Sequence, residues 1–310
     1  MKKKFLSIIL FLVALTGFSQ EKKEETKGPW TKVTNLSVLF NQAAFNDSWQ
    51  GGGTSSYAAN FGLTHDANYS KNKISWDNRI VIDYGIANQK EQEFTRKTND
   101  RFELNSLVGR EIKESLWYYS FFLNARTQLA DGYDFGEDQD GKPIRTQATK
   151  ILSPGYFQAG LGMLWKKSDN LKLNIAPATS RLIVVNSQFT NVGTNQTDID
   201  AFNQVGYFGV RANQTSRLEF GASIGAYGKF TLSKNIVMEN VLNLYSNYLE
   251  DMQNVDLDYT ANLVMSVNKW ITANVTFQGI YDDNAVKGFQ IREAFTTYSA
   301  IHQYFLKYLC

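Results

Sequence analysis

The chain has almost no cysteine. Cys310, its last residue, is the only one, so no intrachain disulfide can form. Histidine is nearly as scarce, at His65 and His302, and two histidines with one terminal cysteine make a poor zinc site. Proline occurs at four positions. Pro29, Pro143 and Pro154 fall between the apolar-patterned stretches, as a residue without a backbone N–H should. Pro177 falls inside one and predicts a bend or bulge there. Beyond the N-terminus, no apolar run reaches the about 20 residues that a membrane helix needs. A charge excess is lacking too. Of 32 basic residues, Lys2, Lys3 and Lys4 belong to the expected leader, which leaves 29 against 30 acidic residues and a net charge of −1. That balance gives no electrostatic reason to expect nucleic acid as a partner.

Residues 1–19 read as a signal peptide: a basic start, an apolar segment over 5–16 and small residues at Gly17 and Ser19 before a cut ahead of Gln20. No cysteine stands at that junction to make a lipoprotein. Residues 20–30 read as a short charged periplasmic leader and 31–310 as one domain.

Aromatics are abundant, at 14%, and strict alternation dominates the domain. Ile74, Trp76, Ile80, Ile82, Tyr84 and Ile86 oppose Ser75, Asp77, Arg79 and Asp83. Trp117, Tyr119, Phe121, Leu123 and Ala125 oppose Ser120, Asn124, Arg126 and Gln128. A period of two puts each set on its own side of a β-strand. Twelve such stretches occur, near 31–40, 54–67, 73–87, 99–109, 115–129, 156–167, 171–187, 214–231, 236–246, 255–267, 270–281 and 290–305. Many exceed the about 5–6 residues of an average soluble strand. Trp76, Trp117, Tyr118, Trp165, Tyr245, Tyr248, Trp270 and Tyr281 lie at strand ends, where an interfacial girdle belongs.

The links alternate in length. Tight ones fall near 69–73, 110–114, 167–170, 233–235 and 268–269; long ones near 41–53, 87–99, 130–155, 188–213, 247–254 and 282–289. Short turns on one side and long loops on the other predict an all-β, transmembrane, antiparallel up-and-down barrel of about twelve strands, bounded by ten and fourteen, with both termini periplasmic.

Three stretches, FNQAAFNDSWQGGGTSS at 40–56, RKTNDRFELNSLVG at 96–109 followed by SLWYYSFFLNARTQ, and VNKWITANVTFQGIYDDN at 267–284, resemble domain-of-unknown-function family 3078, an uncharacterised group of Bacteroidota outer-membrane proteins. The resemblance implies location in the bacterial outer membrane and brings no assigned activity. The tail at 294–310, AFTTYSAIHQYFLKYLC, departs from an aromatic closing strand and reads as a helix as readily as a strand.

The polar faces turn Asp77, Arg79, Asp83, Arg101, Glu103, Arg126, Arg217, Glu219, Asp256 and Asp258 toward one interior, as a packed network of paired charges or as the lining of a narrow channel. Gly51, Gly52 and Gly53, with Phe45 and Trp49, predict a folded-in first loop whose aromatics cap or plug the mouth, with a ligand cradle as the alternative; with no GK[ST] following, they are not a phosphate loop. Asp134, Asp138 and Asp140 in the acidic segment DGYDFGEDQDG are a weak calcium set. Aligning Asp138, Asp140 and Gly141 with an EF-hand puts Gly136 where Asp is required, so a solvated acidic loop is the expectation. His65-Asp66, with Ser55, Ser56 and Ser75 in nearby strands, lacks a third orienting group for nucleophilic catalysis.

The first functional reading is therefore passage of small polar solutes through a narrow lumen. The second is a non-conducting accessory barrel whose loops, 188–213 above all, bind a partner in an outer-membrane complex; an enzyme comes third. No cofactor is implied, and the expected partners are outer-membrane lipid and protein.

Overall fold

The computed structural model describes residues 28–46, 48–268, 271–282 and 286–299. The expected signal peptide and the tail beyond residue 299, with the last residues of the expected twelfth strand, lie outside them. The described strands are β1 (Trp30–Ala43), β2 (Ser56–Lys71), β3 (Ile74–Gln89), β4 (Arg96–Glu111), β5 (Trp117–Thr127), β6 (Gly132–Glu137), β7 (Pro143–Thr149), β8 (Gly155–Ser168), β9 (Leu171–Val184), β10 (Ser216–Ser233), β11 (Ile236–Asn247), β12 (Val255–Ser266), β13 (Ile271–Asp282) and β14 (Val286–Ser299). Twelve of them form one antiparallel sheet in the order β1-β2-β3-β4-β5-β8-β9-β10-β11-β12-β13-β14, and β6 and β7 form a separate hairpin.

Alternation builds these strands as expected. On β5, Tyr119 and Phe121 are 66% and 42% exposed while Ser120 between them is 6% exposed. The tight links follow turn chemistry. Asn72 and Lys73, with φ of 52° and 64°, make the two left-handed residues of a type I′ turn between β2 and β3, whose twist suits a two-residue hairpin.

Pro177 does not split its strand; it makes a bulge inside β9. Ala222 of β10 opposes both Pro177 and Ala178, and Gly162 of β8 opposes both Ala176 and Pro177. The bulge absorbs the residue that cannot donate to the ladder. A side chain at position 162 would put its Cβ 2.1 Å from the Ile175 carbonyl oxygen, so the bulge needs glycine there. The extra residue also reverses the facing of β9. Asn174 and Ala176 are buried before it, and Thr179, Arg181 and Ile183 after it.

The sheet is strongly curled. Arg79 on the third strand in sheet order reaches Glu239 on the ninth at 3.0 Å, and Arg126 on the fifth reaches Asp258 on the tenth at 2.9 Å. Twelve strands spaced by about 4.8 Å and tilted by about 40° would close a circle roughly 24 Å across, farther than an arginine and a glutamate reach end to end. The curled section is therefore flattened, with β3 and β11 drawn together.

Two long links carry structure that alternation did not reveal. Residues 130–155 hold the hairpin β6–β7 where a solvated acidic loop was expected. Residues 185–215 hold a 3-10 turn at Ser187–Phe189 and one helix, α1 (Gln196–Asn203), whose cap Asn195 accepts a hydrogen bond from the Thr197 N–H through Oδ1 at 3.0 Å. This second link folds over the inner face. Val210, fully buried, packs with Val185, Ile183 and the inward-facing Tyr156. Tyr207 pins it down by donating to the carbonyl oxygens of Ala148 and Ser153 at 2.7 and 3.2 Å.

Burial pushes the Tyr207 hydroxyl up to about 12. A folded value raised above the ordinary value near 10 favours the packed link fully below pH about 10, a contribution lost as pH rises toward the folded value. Cleavage within 185–215 by an alkali-tolerant protease is therefore expected to rise between about pH 10 and 12. Tyr207→Phe, lacking this one hydrogen bond shared between two carbonyls and worth about 1 kcal/mol, should be cut faster already at pH 8 and show no such rise. Equal cleavage of parent and variant at pH 8 would remove Tyr207 as the pin.

Candidate functional site

The inner face gathers charge at several levels between the tight-turn end and the long-link end. Nearest the tight turns, Asp77 accepts from Lys166 at 3.0 Å and Lys172 at 2.7 Å, and Lys166 also donates to Ser75 Oγ at 2.8 Å. Arg79 comes next, between Glu239 at 3.0 Å and Asp66 at 3.8 Å, with the Tyr227 hydroxyl donating to Glu239 at 2.8 Å. Above it, Arg101 pairs with Glu103, which also accepts from Asn105 at 2.7 Å. At a similar depth Arg126 crosses to Asp258, which accepts from Gln278 at 3.0 Å through its other oxygen. Toward the long links, Arg181 is held by Glu219 at 2.6 Å and Asp256 at 2.5 Å, and Arg217 by Glu219 at 2.8 Å and Glu250 at 2.9 Å.

Burial is uneven across these groups: Glu219 is 1% exposed and Asp77 and Glu103 8% each, whereas the side chains of Arg79 and Arg126 are 35% and 34% exposed and that of Glu250 53%. A charge taken from water is costly unless paired and hydrogen-bonded; the layers supply each of these carboxylates with a cation, though Glu219 Oε1, 2.8 Å from Arg217 Nε, accepts no well-aligned hydrogen bond. Beside Arg181 and Arg217 lies a pocket of about 30 Å³, and a larger one of about 330 Å³ lies at the long-link ends of β1, β2 and β3, lined by Asn41, Tyr57 and Asn88.

Nine of the ten charges expected on the inner face sit in this network. Asp83 lies beside it, opposite Arg101 in register. Arg181, Glu239, Glu250, Lys166, Lys172 and Asp66 also belong to the network and were not anticipated. Arg181 was hidden by the bulge: strict alternation from Lys172 and Asn174 turns position 181 outward. Tyr245, expected in the girdle, instead faces inward, 5% exposed, with the Arg181 guanidinium 4.0 Å from its ring centre. The outer face does hold aromatic rows. Trp30 packs on Tyr69 and Trp76 at 5.2 and 5.6 Å, and Trp117 stands opposite Trp165. Trp270 lies outside the described residues.

The other expected sites resolve into local structure. Trp49 donates from Nε1 to the Gly52 carbonyl at 2.8 Å, its ring lies against Gly51, and Phe45 covers Gly53. Gly52 and Gly53 have φ of +75° and +106°, which favours glycine. The aromatics of the first loop thus pack on its own glycines, and Trp49, 56% exposed, does not fill the mouth. Asp138 Oδ1 accepts from the backbone N–H of Asp140 and of Lys142 at 2.9 Å each, so this carboxylate shapes the hairpin turn. Asp134 sits on β6 opposite Thr146, and among the described residues no three His, Cys, Asp or Glu side chains converge as a metal site. His65 shares its outer-face row with Thr34 and Ile80 and bonds Thr34 Oγ1 at 2.8 Å; Ser75 is committed to Lys166 on the inner face.

Residues 40–133 match the model of a protein family of unknown function, DUF3078, and the chain resembles that family there. The match includes the first two stretches on which the resemblance rests, and the third, at 267–284, lies beyond it. No curated protein matches the chain. Among solved structures, it is similar to the translocator domain of autotransporter NalP from Neisseria meningitidis, at 8% identity over 96% of this chain and 94% of that one, with a TM-score of 0.40. It is also similar to the β domain of the Bordetella autotransporter Brka, at 10% identity over 88% and 98%, with a TM-score of 0.30.

Proposed function

We propose that this chain is a bacterial outer-membrane β-barrel with a sealed interior, a non-conducting platform that holds structured links at one membrane surface. The ion pairs that cross the inner space carry this reading. A conduit for solutes needs a continuous water path, whereas Arg79–Glu239 and Arg126–Asp258 join walls six and five strands apart. The inverted polarity supports the membrane. Leu161, Leu218 and Phe295 are 62%, 67% and 67% exposed on a sheet that buries the carboxylates of Asp77, Glu103 and Glu219. Aqueous monomers seldom expose apolar belts of that extent, while a barrel wall facing lipid requires one. The same reading makes the tight turns periplasmic and puts the hairpin β6–β7 and the capped link 185–215 outside the cell, where a partner would meet them.

Purified protein in a planar bilayer is expected to give no stable single-channel steps, even at high load. Recurrent steps of constant size would overturn the sealed interior. Unboiled protein should migrate differently from boiled protein on a gel; identical migration would count against the barrel itself.

A further inference from the structure

We propose that the hairpin β6–β7 and the end of the β3–β4 link form a binding face for an oxyanion of the phosphate type. Two arginines carry it. Arg96 lies 4.5 Å from the ring centre of Phe135. Arg145 lies 4.4 Å from that of Tyr133 and 5.1 Å from that of Phe94. Phe94 and Phe135 are themselves 6.1 Å apart, and Arg145 stands opposite Phe135 in the hairpin register, so both guanidinium groups belong to one aromatic box. Both arginines are exposed, and among the described residues neither meets a carboxylate at ion-pair distance. Six other arginines, Arg79, Arg101, Arg126, Arg181, Arg211 and Arg217, each pair with an acid; Arg110, also without an acid at ion-pair distance among the described residues, has no aromatic ring under its guanidinium there either.

A ring covers the flat face of a guanidinium and leaves its edge, with N–H donors in a fixed fork, available. A single fork satisfies a carboxylate with two parallel bonds; two forks on one box suit a group with three or more oxygens, such as a phosphate. Asp134 does not compete, because alternation places it on the other face of the hairpin from Phe135 and Arg145. The mount is stiff. Lys97 donates to Asp100 at 2.7 Å, Gln128 at 2.9 Å and the Ala130 carbonyl at 3.0 Å, and Asp100 accepts from the N–H of Leu129 at 2.7 Å and of Ala130 at 3.0 Å. Thr149, at the far end of the hairpin, donates to the same Gln128 oxygen at 2.7 Å. A face held this way loses little side-chain freedom when it binds, which favours affinity.

The test is calorimetric titration of the full chain, in micelles of a non-ionic sugar detergent, with two probes: inorganic pyrophosphate for a soluble phosphate compound, and monomeric dihexanoyl phosphatidic acid for a lipid headgroup. Saturable binding at one site is expected with at least one of them. Binding of pyrophosphate assigns a soluble ligand, and binding of the lipid alone assigns a headgroup. Arg96→Gln or Arg145→Gln should weaken it at least tenfold. Arg145→Lys, which keeps the charge and loses the fork, should weaken it by a smaller factor, and it decides the matter if Arg145→Gln disturbs the hairpin. Arg211→Gln, which removes an exposed arginine already paired with Glu250, should leave binding unchanged. Absence of binding by either probe at millimolar concentration overturns the proposal, as does binding indifferent to Arg96 and Arg145.

Discussion

Replacing Arg181 by methionine is expected to cost about 3–5 kcal/mol of stability, the range for breaking one side of a buried ion pair. The substitution keeps most of the side-chain volume and removes the only described cation within ion-pair distance of Asp256, and one of two serving Glu219. Glu219 is 1% exposed, so water does not take the place of a lost cation without local opening. The cost arises from the stranded carboxylates and not from lost attraction alone. Arg181→Met combined with Glu219→Gln should therefore recover part of the loss, because one of the orphaned charges is gone. The comparison is Lys73→Ser, which breaks a pair whose side chains are 54% and 84% exposed; such a pair is worth under about 1 kcal/mol. Urea midpoints of the folded, heat-modifiable form would measure all three. An Arg181→Met midpoint no lower than that of Lys73→Ser would mean that the inner network contributes nothing beyond a surface pair.

The contrast between Arg181 and Arg79 shows what a one-dimensional pattern carries. Arg79 lies in an unbroken run of alternation, so its side of the sheet follows from parity alone. Arg181 lies beyond a bulge that moves every later residue of β9 to the other face, and a slip of one residue inverts a strand completely. Pro177 announced that the ladder would be disturbed, yet not whether it would bend or gain a residue; the two outcomes have opposite consequences for position 181. Strand number and order were legible because each tight turn carries its own local chemistry, as at Asn72 and Lys73. Partners across the inner space were not. The meeting of Arg79 with Glu239, 160 positions along the chain, depends on how far the sheet flattens, which is a property of the whole packing. The links were misread for a related reason. The hairpin β6–β7 rests on Lys97 and Asp100 of β4 and on Gln128 just past β5, and Tyr207 on carbonyls of a different link; neither contact leaves a period in the sequence.

The long pairs that cross the inner space are also expected to be its seal. Lys166 and Lys172 join Asp77 over three and four strands, and Arg181 joins Asp256 over three, so these are short chords along the wall. Arg79–Glu239 and Arg126–Asp258 span six and five strands and divide the space itself. Removing both partners of both pairs, with serine at positions 79, 239, 126 and 258, avoids leaving their opposite charges unpaired, the usual reason a single charge deletion unfolds a protein. Asp66 loses its contact with Arg79 at 3.8 Å, a smaller cost for a side chain 28% exposed. The resulting space is lined by hydroxyls and the remaining charges and should fill with water. In a planar bilayer the fourfold variant is expected to change from silence to recurrent single-channel steps. The surface variant Lys73→Ser with Glu114→Ser should stay silent. Opening of only one pair should give rarer or smaller steps, since the other still bridges the walls. A fourfold variant that remains heat-modifiable and silent would show that backbone packing, or the apolar cap around Val210, closes the path, and the ion pairs would then serve stability alone.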